Sequence, residues 1–112
     1  MLKYTLFYLV ISLLLLTGCE KKGSTNTTDE CNSVAAKFSD DVMPIINSSC
    51  VNCHKAGSTN SGGSLADYDQ IFSKRESIKF QIETNQMPKS GSLSTEQKNK
   101  IVCWINSGAP NN

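Results

Sequence analysis

Histidine and arginine each occur once in these 112 residues, as His54 and Arg75, and neither sign of charge has much surplus, since the formal net charge is +1. That balance excludes a nucleic-acid surface built on excess cation. The chain has no internal repeat, no alternating apolar and polar stretch, and no βαβ pattern. Half-buried strands and a thioredoxin-like redox setting are therefore not expected. A zinc site is not expected either, because no second pair of ligands accompanies the cysteines around position 50. Nor is there an apolar run long enough for an ordinary membrane-spanning helix. The longest, Tyr4 to Leu16, falls short.

What that run does resemble is the h-region of a secretory signal peptide, preceded by Lys3. It leads into Leu16-Thr17-Gly18-Cys19, a tetrapeptide similar to the lipobox of bacterial lipoproteins. The resemblance implies residues 1–18 as a lipoprotein signal peptide and Cys19 as the lipidated first residue of the mature chain. The alternative is an uncleaved N-terminal anchor with a chance cysteine. From Glu20 to Glu30 no residue is apolar, so this stretch cannot fold by burial, and residues 19–30 are expected to be a flexible tether. One domain is left, residues 31–112. A core of that size is marginal without covalent staples.

Cys50-Val51-Asn52-Cys53-His54 is the most specific signal in the chain. Two thiols two residues apart, followed at once by an imidazole, read as a c-type haem attachment site. Each thiol adds to one haem vinyl group, and His54 ligates the iron. One covalent haem c is the cofactor expected. Five cysteines then sort themselves: Cys19 to lipid, Cys50 and Cys53 to haem, and Cys31 and Cys103 left over in a compartment that permits disulfides. Cys31 and Cys103 are expected to pair, with two buried free thiols as the alternative.

The domain reads as all-α, a set of short helices around the haem. Asp40 and Asp41 can cap a first helix that tolerates Pro44 in its first turn and ends at the haem motif. The glycine-rich stretch Lys55 to Ser64 reads as a loop over the haem edge. Asp67 can cap a helix through Tyr68, Ile71 and Phe72, and another is expected from Glu76 to Thr84. Ser94 and Gln97 form a capping-box pattern for the last helix, whose apolar residues Ile101, Trp104 and Ile105 recur at helical spacing before Gly108 and Pro110 end it. Trp104 is expected to pack in the core. Arg75 reads either as a partner for a haem propionate or as an exposed helix charge, and Lys74 and Lys79 as solvated.

Apart from Met1, the sulfur donors for a sixth iron ligand are Met43 and Met87. Met43 lies on the approach to Cys50, where reaching the opposite haem face is awkward. Met87, followed by Pro88 and a polar non-helical stretch, is favoured, with core filling as its alternative role.

From Phe38 to Asn112 the sequence resembles small monohaem c-type cytochrome domains of bacterial envelope lipoproteins. The matching residues are Val42 with Pro44-Ile45, the Cys50 to His54 motif, Gly62-Gly63 through Leu65 and Tyr68, Met87-Pro88, Leu93-Ser94, and Trp104-Ile105 through Gly108-Ala109-Pro110. The resemblance implies a cytochrome c-like bundle, Met87 as distal ligand, and a disulfide between the N-terminal region and the last helix. Cys103 departs from the pattern by standing directly before Trp104 and not a turn earlier.

The expectation is thus a metal-binding electron-transfer cytochrome c with iron ligated by His54 and Met87, and not an enzyme. It would be lipid-anchored in the envelope of a Gram-negative-type bacterium, facing the periplasm as a monomer. Its partners would be redox proteins of the envelope and the membrane, with no nucleic acid. The alternatives are a haem enzyme or gas sensor with an open iron, in which Asp67 or Asp69 would have to serve as the acid-base group, and a structural adaptor.

Overall fold

The computed structural model describes residues 31–112; the expected signal peptide, the expected lipidation site Cys19 and the expected tether lie outside them. The described residues are helical, with no strand among them. The fold is all-α. No helix among them is long and apolar enough to cross a membrane.

The chain enters through a π-helical turn, Phe38–Val42, which runs directly into α1, Met43–Ser49. Pro44 sits in the first turn of α1. The helical path begins earlier than Asp40 and Asp41 suggest, and the reason is remote in sequence. Asn112 accepts hydrogen bonds from the Phe38 N–H through its side chain (2.8 Å) and from the Ser39 N–H through its carbonyl (2.9 Å), which satisfies donors a helix start leaves free. Asp41 instead accepts from the Lys37 N–H at 2.9 Å.

At Cys50 the path bends into a single-turn helix, α2, Val51–His54. A loop returns the chain to α3, Tyr68–Ser73, and Asp67 caps it by accepting the Gln70 N–H at 2.9 Å, as the sequence suggests. Then come α4, Arg75–Glu83, and α5, Thr95–Asn106. The start of α5 carries a full capping box, Ser94 and Gln97 each bonding the other's backbone N–H.

The core is built where the π turn, α1, α3 and α5 meet. Val42, Ile46, Ile71, Ile101 and Trp104 are fully buried. Phe38 packs edge-on against Tyr68 with ring centroids 5.0 Å apart, and its ring also lies 5.4 Å from that of Trp104. Trp104 is a core residue, and its indole N–H is satisfied by the Pro110 carbonyl at 2.9 Å. The Tyr68 hydroxyl donates to the Ala109 carbonyl at 2.9 Å. The two bonds fold the segment after α5 back over the core. A disulfide joins Cys31 to Cys103 on α5, with Cα atoms 5.1 Å apart.

Lys100 on α5 bridges Asp41 (3.2 Å) and Glu96 (3.3 Å). The Lys37 backbone N–H, and then the Lys100 ammonium, hold the Asp41 carboxyl below its ordinary value. Because the folded value lies below the unfolded one, the stabilisation is present above about pH 4 and fades as pH falls further. Asp41→Asn is therefore expected to flatten the acid limb of stability. Thermal unfolding at pH 6 and pH 3 checks this, and an equal acid loss in parent and variant would refute it.

Candidate functional site

Cys50 closes α1 by donating its N–H to the Ile46 carbonyl at 2.8 Å, and its own carbonyl accepts from Cys53 (3.1 Å) and His54 (2.9 Å). One turn of helix therefore holds the two thiols and the imidazole together. After His54 the backbone becomes extended at Lys55, and the loop comes back so that the Leu65 N–H donates to the His54 carbonyl at 2.8 Å.

That return brings the Gly63 carbonyl to His54 Nδ1 at 2.7 Å. A carbonyl can only accept, so Nδ1 carries the proton and donates. In the neutral ring Nε2 is then the bare nitrogen, the form in which an imidazole ligates a metal. Gly62 makes the close approach possible: its φ is +95°, and a Cβ there would meet His54 Cε1 at 3.4 Å.

On the other side, α4 ends with Asn85 in the left-handed region (φ 56°), and the Gln81 carbonyl accepts N–H bonds from Gln86 (2.8 Å) and Met87 (3.2 Å). This turn carries Met87 and Pro88 to the same place. Cys50, Cys53, His54 and Met87 all line one cleft of about 730 Å³, with Leu65, Ile78 and Ile82 as apolar walls. The volume falls within the roughly 300–1,000 Å³ of small-molecule and cofactor sites.

The structure also separates the alternatives. Met43 packs against the hydrophobic core and does not line the cleft. Neither Asp67 nor Asp69 lines it, and Asp67 is engaged as a cap. Among the described residues, no aspartate or glutamate is present in its walls. Arg75 points elsewhere: it donates to the Phe72 carbonyl at 2.8 Å and lies over the Phe72 ring at 4.2 Å. Lys74, expected to be solvated, is half-buried and lines the cleft. Lysines in solvent and in a cleft wall have the same local sequence pattern, so nothing in the sequence marks it. Lys79 reaches Asn106 at 2.6 Å.

Cys50 and Cys53 are free thiols, and burial pushes the Cys50 thiol up from its ordinary value.

One expectation from the sequence is corrected. Among the described residues no group of three or more His, Cys, Asp or Glu side chains could hold a metal ion, so these residues build no metal-binding cluster of side chains. The reason is compositional: there is one histidine, and the cleft walls contain no carboxylate.

No protein-family model matches this chain, and neither a curated protein nor a solved structure is similar to it at a significant level.

Proposed function

We propose that the cleft holds one haem, linked by thioethers to Cys50 and Cys53 and ligated by His54 and Met87, and that the chain is an electron carrier similar to small monohaem c-type cytochromes. A haem brings its own ring of four nitrogens, so it asks the chain for two thiols and axial donors and not for a cage of side chains. Bound there, it would supply a single-electron ferric/ferrous couple.

The observation that carries the reading is that all four residues line the same cleft, with His54 fixed in the ligating tautomer by Gly63. Each residue then has a task. Cys50 and Cys53 would hold the group at the start of α2, His54 would present Nε2 to the iron, and Met87 would offer a soft thioether, a donor that raises the potential. Leu65, Ile78 and Ile82 exclude water from the apolar walls. With no carboxylate among the described wall residues to move a proton, an electron carrier is favoured over a peroxide-cleaving enzyme. Anchoring through a lipid on Cys19, in the envelope beside redox partners, belongs to the same proposal.

A redox titration of protein produced with a haem-attachment system tests it. A single reversible one-electron step with an unchanged low-spin spectrum is expected. A high-spin parent protein that takes up cyanide at once would contradict it.

A further inference from the structure

Among the described residues only two charged side chains line the cleft, Lys74 and Lys89, and both are cations, although the whole chain carries ten acidic residues. They differ in setting. Lys89 is exposed in the polar stretch after Met87, whereas Lys74 is half-buried at the junction of α3 and α4.

Lys74 is also held in place. Its stem lies along the loop that orients His54, close enough that a Cβ on Gly63 would meet its Cε at 3.7 Å. Its ammonium donates to the Ser64 carbonyl at 3.1 Å. Ser64 is fixed in turn, its hydroxyl donating to Gln70 Oε1 at 2.6 Å. Gly63 and Ser64, adjacent in the chain, are thus gripped by His54 and Lys74 respectively. An ammonium has three donors and this one uses a single N–H within the protein. No aspartate or glutamate among the described residues pairs with Lys74. The neighbouring cation, Arg75, is already engaged by the Phe72 carbonyl and ring and by Glu76 at 3.7 Å.

We infer that Lys74 anchors a carboxylate of the bound porphyrin, acting as a positioning residue that also sets the haem's electrostatic environment. The inference rests on the haem proposal above and deepens it. A half-buried cation is screened less than an exposed one, so Lys74 acts on the haem more strongly than Lys89 does. Reduction adds negative charge to the site, and a nearby cation stabilises that state. Removing the cation therefore lowers the midpoint potential.

The test compares redox titrations of the haem-loaded full chain in parent, Lys74→Gln, Lys74→Arg and Lys89→Gln forms. Glutamine retains an amide donor for the Ser64 carbonyl while dropping the charge, and the arginine variant restores the charge should the glutamine variant load poorly. The expected result is a lower midpoint in Lys74→Gln, a smaller lowering in Lys89→Gln, a midpoint near the parent's in Lys74→Arg, and unchanged visible spectra in all four. Equal midpoints in parent and Lys74→Gln with intact spectra, or a low midpoint in Lys74→Arg as well, would overturn the assignment and leave the haem proposal standing. A parent chain with no haem absorbance would overturn both.

Discussion

Met87→Ala is expected to open the sixth iron position while leaving the fold in place. In the parent, the ferric protein should show the weak near-infrared charge-transfer band of a sulfur-ligated haem. In the variant that band should vanish, the iron should become high-spin and accept cyanide, and the midpoint potential should fall, because a thioether ligand raises it. The side chain is half-buried on a turn after α4 and does not belong to the buried core. Truncation should therefore cost less than the roughly 2–5 kcal/mol of a core methionine. That contrast separates the two roles open to Met87. A ligand gives a large spectral change with a modest loss of stability, whereas a core filler gives the reverse. A variant that retains the band would exclude Met87 as ligand. Met43 offers no ready replacement, since it packs against the core away from the cleft.

Removing the disulfide should have the largest effect on stability. Cys31 and Cys103 stand 72 residues apart in sequence, so the bond closes a loop containing every helix up to most of α5. In the chain-entropy account, a loop of that length is worth about 4 kcal/mol. Small domains have about 5–15 kcal/mol in total, so the paired substitution Cys31→Ser with Cys103→Ser is expected to leave a marginal fold. Haem attachment at Cys50 and Cys53 would already restrain the unfolded chain, making the loss smaller in loaded protein than in protein without haem. Urea unfolding of the parent and variant measures this. A lower midpoint with a steeper denaturant dependence is expected, because the unlinked unfolded chain exposes more surface. Identical unfolding curves would refute the assigned role.

How far the sequence foretold these features depended on the distance over which each is determined. The caps at Asp67 and Ser94 were legible because the bonds span three residues and the residue types name them. The cysteine pairing was legible by elimination, once the expected haem attachment and the expected lipidation of Cys19 set aside the other three. The start of the first helical path was misread: the groups that satisfy Phe38 and Ser39 belong to Asn112, which no local pattern connects to them. The places of Lys74 and Arg75 were not legible for a similar reason. The two are adjacent, and the break between α3 and α4 directs one to the cleft and the other back over Phe72. The tie from His54 to Gly63 was only half legible. Glycines in the loop announced freedom of backbone, but the carbonyl that fixes the imidazole depends on how the loop closes.

The expected metal-binding character failed in its direct sense, as no cluster of ligating side chains exists among the described residues. The account therefore stands on covalent attachment. The most direct test is the intact mass of the full chain produced in a host with a haem-attachment system, set against a Cys50→Ala with Cys53→Ala variant. The account predicts a parent heavier than its polypeptide by one haem and a variant at the bare polypeptide mass. A parent at the bare mass would contradict it.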